Sequence, residues 1–271
     1  MKWRPSPKPG FRKENKPIKS FLAAVQFLTS IPVPLKGELS PEQLGRSTTY
    51  FPLVGLGIGG ILAGLNWVFN LALPASVTNA LLITTIVILT GAMHLDGLSD
   101  TCDGMAGHKT VEERWQVMHD SRVGAFGVVG IILVLLIQYA ALNGVPADKM
   151  TAVLLFMPTV SRWAMVYAIY AFPYARKEGL GTAYKTATRW PQFIIAAIIT
   201  LTIAGALYSL LNVTGFIMFG GVLIITIGLA FYFKYKFAGL TGDTYGAINE
   251  VAQAIALIVV VIICKTGPGL I

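Results

Sequence analysis

Residues 75–103 read ASVTNALLITTIVILTGAMHLDGLSDTCD, an apolar run that ends abruptly in an acidic segment. The first part, 75–93, carries no charged side chain and is long enough for a helix to cross a bilayer. The second part, 94–103, holds three aspartates within eight positions. A membrane helix followed at once by carboxylates predicts an acidic site at a membrane surface.

The three aspartates share one face of a predicted helix. Asp96, Asp100 and Asp103 are spaced i, i+4 and i+7, which at about 100° per residue places them within an arc of about 40°. Two unit charges about 6 Å apart repel by roughly 3 kcal/mol at an effective dielectric constant near 20. This stripe predicts a bound cation, and oxygen ligands favour Mg²⁺, which binds carboxylates together with substrate phosphates. The alternative is a solvated acidic helix end.

The composition of the whole chain is that of a membrane protein. Of its 271 residues, 55% are hydrophobic and only 13% are charged, and the apolar residues form runs of about twenty. We predict an all-α, polytopic membrane helical bundle of about seven transmembrane helices plus short interfacial helices. The expected spans are 50–73, 75–93, 123–142, 149–172, 192–211, 214–233 and 246–264.

The basic residues indicate an orientation. Eighteen of the 21 Lys and Arg residues fall in alternate connections, which predicts an N-terminus inside, a C-terminus outside and an acidic site facing the cytoplasm. The net charge of +8 follows largely from this bias and indicates attraction to anionic lipid and phosphate. Nucleic-acid binding is not expected, because no basic face is interleaved with aromatic residues.

Two segments precede the first span. Residues 1–19 are basic and rich in Pro, and we expect a disordered tail followed by a single integral-membrane catalytic domain, 20–271. Within that domain, residues 20–34 are too short an apolar stretch to cross a bilayer and lack a signal-peptide cleavage site. They predict an interfacial helix.

Glycines in the first span superficially resemble a dinucleotide-binding loop. No strand precedes them, however, and the spacing Gly55-x3-Gly59 is typical of membrane helices that pack closely. We interpret this pattern as a helix-packing surface.

Charged residues within later spans add candidates to the site. Arg162 lies near the middle of its span, where a guanidinium needs a polar cavity or a partner. It is a functional candidate, with a structural pair to a buried carboxylate as the alternative. Asp243 and Glu250 are seven residues apart, hence on one helix face, and the topology puts them on the same side as the acidic stripe.

Polar residues in the connections complete the set. Asp120 and Arg122 stand just before the third span, and Arg176 lies in a glycine-containing inside loop that could contact phosphate. His94 precedes Asp96 by two residues, so on a continuous helix it would face nearly the opposite way. It could still act on a substrate if the helix begins after it.

Several motifs together resemble the cobalamin synthase (adenosylcobinamide-GDP ribazoletransferase) family, from about residue 21 to 262. The motifs, in the family's order, are FLT (27–29), IPVP (31–34), YFPLVG (50–55), HLDGLSDTCDG (94–104), DSRVGAFG (120–127), PYAR (173–176) with GLG (179–181), and GDTYGA (242–247) with Glu250.

This resemblance implies the last assembly step of a cobamide nucleotide loop. The hydroxyl of α-ribazole, or of its 5′-phosphate, would displace GMP from adenosylcobinamide-GDP, with Mg²⁺ as cofactor, in the inner membrane of a prokaryote. A homo-oligomer is left open. The implied roles are metal binding by Asp96, Asp100, Asp103 and Asp243, proton abstraction by Asp120 or Glu250, and substrate binding by His94, Arg122, Arg162 and Arg176.

Two other classes stay open at the level of sequence. One is another Mg²⁺-dependent membrane transferase acting on a diphosphate, either an alcohol phosphotransferase or a prenyltransferase. The other is a cation transporter, which would place its acidic residues near the bilayer midplane.

Overall fold

The computed structural model describes residues 17–35, 37–107, 110–176 and 179–266, and within these ranges the chain forms helices and turns without a strand. The helices are α1 Pro17–Leu28, α2 Pro41–Ser47, α3 Phe51–Phe69, α4 Ala75–Leu89, α5 Met93–Met105, α6 Val111–Met118, α7 Ala125–Asn143, α8 Ala147–Ala171, α9 Leu180–Ala187, α10 Trp190–Ala206, α11 Tyr208–Leu211, α12 Thr214–Phe237 and α13 Gly242–Thr266. A short 3-10 turn, Thr48–Tyr50, joins α2 to α3.

The long helices confirm a polytopic membrane bundle. In the described part of the chain, five helical segments are long and apolar enough to cross a membrane: α2 with α3, α7, α8, α12 and α13. The helices α4 and α10 each join a shorter helix, α5 and α9 respectively, through a bend of 88°. Counting α4 and α10 as crossings gives seven, the number that the sequence predicts.

Helix α8 forms the centre of the bundle. Of its apolar window, 89% is buried, against 22% for α7, so α8 is enclosed by other helices whereas α7 mostly faces outward. It packs against α3, α10, α12 and α13. The hydrophobic core therefore surrounds α8, and the other spans expose apolar side chains to the surrounding medium.

The contact between α3 and α8 depends on two glycines. A Cβ atom on Gly55 would collide with the Pro158 carbonyl group, and one on Gly59 would lie 2.7 Å from Leu155 Cα. A Cβ atom on Gly60 would meet nothing within 4 Å. The packing interpretation is therefore confirmed for the Gly55-x3-Gly59 pair, because these glycines let two helix backbones approach closely.

The predicted span 75–93 is one helix only as far as Leu89. Gly91 (φ 60°) and Ala92 (φ 57°) then adopt left-handed conformations, which turn the chain into α5. The backbone N–H of Ser30, just after α1, donates to the Leu89 carbonyl at 2.7 Å. It thereby satisfies one of the free carbonyl groups at the C-terminal end of α4. The acidic segment thus runs roughly perpendicular to the crossing that precedes it.

Short helices occupy the connections, as the sequence predicts. The expected interfacial helix at 20–34 corresponds to α1, which begins at Pro17 and ends at Leu28. Of the predicted tail, residues 1–16 lie outside the described residues, and the last three residues already belong to α1.

Candidate active site

The acidic helix α5 packs directly against the start of α13 at one end of the bundle, which we call the site end. A Cβ atom on Gly97 would lie 3.0 Å from Asp243 Cα, and one on Gly246 would lie 3.0 Å from the His94 carbonyl oxygen. No side chain fits between these backbones. The close crossing therefore brings Asp243 next to the acidic face of α5, although about 140 residues separate the two segments in sequence.

Three carboxylates form what we call the acidic cluster: Asp96, Asp100 and Asp243. Asp96 is exposed and Asp100 is half-buried. Among the described residues, the carboxylate of Asp100 is repelled by Asp96, Asp243 and Asp103 and is attracted by Arg176. The excess of negative charge supports the prediction that a cation binds here.

Asp103 holds a different position from the other two aspartates of the stripe. It is buried, and its two carboxylate oxygens accept the backbone N–H groups of Gly124 at 2.8 Å and Gly127 at 2.9 Å. It therefore binds the first turn of α7, where free N–H groups and the helix dipole favour an anion. Its predicted metal role stays a prediction beside this structural one.

A paired loop brings Arg176 to the acidic cluster. Ala175 N–H donates to the Leu240 carbonyl and Leu240 N–H to the Pro173 carbonyl, each at 2.8 Å. This short bridge joins the segment after α8 to the segment before α13. It places Arg176 Nη2 3.6 Å from Asp243 Oδ2, as expected of two segments that are predicted to lie on the same side of the membrane.

Asp120 and Arg122 pair with each other in the turn between α6 and α7. Arg122 Nε lies 3.0 Å from Asp120 Oδ1, and Nη2 lies 2.6 Å from Oδ2. These hydrogen bonds lower the pKa of Asp120 to about 2. The Arg122 side chain is 88% exposed. The pair borders the site, because the same turn continues into Gly124 and because His119 lies within electrostatic range of Asp243.

Behind α5 lies a second group of side chains, which we call the buried polar network: Gln138, Arg162, Asn249, Glu250 and Gln253. Arg162 is fully buried, and its Nη1 donates to Gln253 Oε1 at 3.3 Å. Glu250 accepts hydrogen bonds from Gln253 and Gln138, both at 3.1 Å, and from Asn249 at 3.0 Å. Arg162 and Glu250 are thus linked through an amide, which favours the alternative of a structural pair with a buried carboxylate.

His94 faces this network and not the acidic cluster. Helix α5 already begins at Met93, so the spacing from Asp96 turns His94 to the opposite side, where it is 1% exposed and close to Arg162. Neither ring nitrogen has a hydrogen-bond partner among the described residues. Substrate contacts by His94 and Arg162 stay predictions, and both side chains lie on the inner side of α5.

The sequence analysis missed side chains that support the site. Buried Arg114 donates from Nη1 to the carbonyl oxygens of Gly104 (2.8 Å) and Met105 (3.0 Å), and so caps the end of α5. Gln138 and Gln253 hold Glu250. A usable signal was present for Gln138, because it is an amide within an otherwise apolar span.

The donor set fits a metal that is shared with a substrate. Within the described ranges, no three His, Cys, Asp or Glu side chains converge enough to hold a metal ion by themselves. Mg²⁺ usually binds one or two carboxylates and completes its coordination with waters and substrate phosphates. Asp96 and Asp100, whose carboxylates accept no hydrogen bond from the backbone of the described residues, suit that mode.

Comparisons with known proteins agree with the motifs. A family model described as cobalamin-5-phosphate synthase matches residues 20–261. The adenosylcobinamide-GDP ribazoletransferase of Geotalea daltonii is 39% identical over 246 residues, which cover 91% of this chain and 98% of that protein. The protein of the same name from Roseiflexus sp. is 39% identical over 234 residues, or 86% of each chain.

A third relative, the adenosylcobinamide-GDP ribazoletransferase of Acetivibrio thermocellus, is 34% identical over 242 residues, which cover 89% of this chain and 96% of the relative. No solved structure matches the chain with a significant score. The family match and the relatives extend over nearly the whole described bundle. The chain therefore belongs to the cobalamin-5-phosphate synthase family.

Proposed function

We infer that the chain catalyses transfer of α-ribazole, or its 5′-phosphate, onto adenosylcobinamide-GDP. The ribazole hydroxyl oxygen bonds to the phosphorus that is attached to the corrinoid, the bridging P–O bond breaks, and GMP leaves with the bridging oxygen. The product is adenosylcobalamin or its 5′-phosphate. The family assignment and the names of the relatives support this reaction.

The acidic cluster beside Arg176 is the observation that carries the proposal for the active site. Attack on a diphosphate requires positive charge at its oxygens and a positioned nucleophile. We propose that Asp96 and Asp100, with Asp243 beside them, hold Mg²⁺ against the substrate. Bound Mg²⁺ would neutralise charge on the phosphate oxygens as GMP departs.

We propose that two arginines contact the diphosphate. Arg176 is partly exposed, and its 3.6 Å contact with Asp243 is long enough for the guanidinium to turn toward a phosphate. Arg122 extends into solvent at the edge of the site. Arg162 and His94 lie behind α5, and in this proposal they support the helix that carries the aspartates.

Of the two candidate bases, Asp120 is the accessible one. Both carboxylate oxygens of Glu250 accept hydrogen bonds from buried amides. Asp120 has a low pKa because Arg122 donates to it. When the Arg122 side chain turns to a substrate phosphate, its hydrogen bonds to Asp120 are lost while that of the Arg122 backbone N–H stays. The pKa of Asp120 then rises, which makes it a better acceptor for the hydroxyl proton.

We place the site end at the cytoplasmic face of a prokaryotic inner membrane. Of the twelve Lys and Arg residues within the described ranges, nine lie in or next to the connections at that end, as the positive-inside rule requires. The acidic cluster lies at an end of the bundle and not at its middle. Neither that position nor the family assignment supports a transporter, an alcohol phosphotransferase or a prenyltransferase.

The test is release of GMP by the purified protein in liposomes. Adenosylcobinamide-GDP and α-ribazole are added with Mg²⁺ or with a chelator, and GMP and the complete cobamide are measured by chromatography. We expect Mg²⁺-dependent release, and a loss of at least about 100-fold in Asp100→Asn. Asp148→Asn, an exposed aspartate at the other end of the bundle, is the matched control.

Two results would contradict this proposal. Full activity of the Asp100→Asn enzyme would show that the acidic cluster has no part in the mechanism. If a folded, monodisperse protein released no GMP, the proposed reaction itself would be wrong.

A further inference from the structure

A cavity of about 290 Å³ opens at the site end, between α1, α2, the turn before α3 and the start of α10. None of its lining residues belongs to the acidic cluster or to the buried polar network. Its polar lining consists of Ser20, Gln43, Arg46, Thr49, Tyr50 and Gln192. The reaction proposed above gives this cavity no role.

The polar groups of the lining are mainly hydrogen-bond donors. Gln43 Oε1 accepts the Ser40 backbone N–H at 2.9 Å, and Gln192 Oε1 accepts the Arg189 backbone N–H at 3.1 Å. Each glutamine thus uses its oxygen to cap a helix, and its NH₂ group is left to donate elsewhere. With the guanidinium of Arg46, the wall offers one positive charge and several neutral donors.

Among the described residues, the lining contains no carboxylate. One acidic residue of α2, Glu42, is exposed and lies within electrostatic range of Arg46 and Arg189. A wall of one cation, two amide NH₂ groups and hydroxyls matches the oxygens of a phosphate group.

The cavity lies where two spans begin. Tyr50 immediately precedes α3, and Gln192 lies in the first turn of α10. Trp190, the first residue of α10, is 65% exposed, as expected of an aromatic residue at the membrane interface. Beyond it, Ile195 and Ile198 are 46% and 56% exposed, and they form an apolar strip leading from the cavity along α10.

We propose that this cavity binds the phosphate headgroup of an anionic phospholipid, with an acyl chain along Ile195 and Ile198. A free phosphate would satisfy the donors but would leave the adjoining apolar strip without a role. The lipid would join α1, the turn before α3 and α10 from the outside. This lipid site is independent of the transferase reaction, so an experiment can contradict one proposal and leave the other unchanged.

The experiment measures lipid bound to the full chain in mild detergent by native mass spectrometry. Phosphatidylglycerol and phosphatidylcholine are titrated separately, and inorganic phosphate is added as a competitor. We expect Arg46→Gln to bind phosphatidylglycerol about tenfold more weakly than wild type, because a charge-assisted contact is lost. Arg46→Lys, which keeps the charge, should retain most of the binding.

Lys234→Gln is the matched control, because it removes an exposed cation from the same end of the bundle outside the cavity. It should bind phosphatidylglycerol as wild type does. Arg46 is exposed, so its replacement should leave thermal unfolding unchanged. Thr49→Val, which removes a neutral donor, provides a second variant with an expected loss of about threefold.

Equal binding of phosphatidylglycerol by wild type, Arg46→Gln and Thr49→Val would overturn the proposal. So would binding of inorganic phosphate together with no preference for phosphatidylglycerol over phosphatidylcholine, since the cavity would then be a site for the soluble anion.

Discussion

The carboxylate of Asp103 contacts backbone and not solvent, and this contact restricts the residues around it. A Cβ atom on Gly124 or Gly127 would collide with that carboxylate. The motif that ends in Asp103 and the motif that contains the two glycines are therefore parts of one joint between α5 and α7. At the scale of single residues, a side chain predicted to bind metal has a structural function that its spacing could not reveal.

Replacing Asp103 should therefore affect stability more than metal dependence. Asp103→Asn keeps the shape but loses one of two accepting oxygens, which should lower the free energy of unfolding by about 1–3 kcal/mol. Thermal unfolding in detergent checks this, with Asp100→Asn as the comparison, since that variant should unfold as wild type does. Unchanged unfolding of Asp103→Asn together with lost Mg²⁺ dependence would instead assign Asp103 to the metal.

The buried polar network makes a second residue-scale prediction. Glu250→Met leaves the Arg162 guanidinium buried without the nearby negative charge, which should cost about 3–5 kcal/mol of unfolding free energy. The double variant Arg162→Met with Glu250→Met should be more stable than either single variant, because no unpaired charge stays buried. Additive losses measured by unfolding would show that the two side chains act separately, as substrate-contacting residues would.

At the scale of elements, helix contacts were easier to predict than helix directions. The Gly55-x3-Gly59 spacing correctly predicted a packing surface, because close approach of two helices needs small residues at that period. The bend between α4 and α5 was not predicted. Gly91 gave a local signal, but Ala92 in a left-handed conformation is unfavourable by itself and is held by contacts such as that from Ser30.

The contact between α3 and α8 can be tested with two glycines of the same helix. Gly55→Leu forces a side chain into the α8 backbone, so we expect a misfolded protein or a melting temperature lower by about 10 °C or more. Gly60→Leu adds the same side chain where nothing lies within 4 Å and should melt as wild type does. Equal melting temperatures would show that α3 and α8 are not in close contact.

At the scale of the whole molecule, the number of spans followed from composition alone. Each crossing needs about twenty apolar residues, and this requirement does not depend on which helices contact one another. The proximity of Asp243 to α5 could be predicted from topology, because the order of the spans puts both segments on the same side of the membrane. The hydrogen-bond partners of Glu250 could not be predicted from topology. Gln138 is 112 residues away in sequence, and only the packing of the helices brings it near.

The orientation of the bundle can be measured with single cysteines in a Cys102→Ser, Cys264→Ser background. Thr186→Cys lies exposed at the site end, and Asp148→Cys lies exposed at the other end. A membrane-impermeant maleimide added to intact cells should label position 148 and should reach position 186 only after the membrane is opened. The reverse pattern would place the site end outside and contradict the positive-inside assignment.

The short bridge between residues 173–175 and Leu240 has a mechanical consequence. Because two backbone hydrogen bonds tie these segments together, Arg176 and the start of α13 move as one unit. A substrate that draws the Arg176 backbone inward must also shift Asp243, unless the bridge breaks. The backbone that carries Arg176 and the carboxylate that lies 3.6 Å from its guanidinium would then travel together, so closing the site would bring both charges to a diphosphate at the same time.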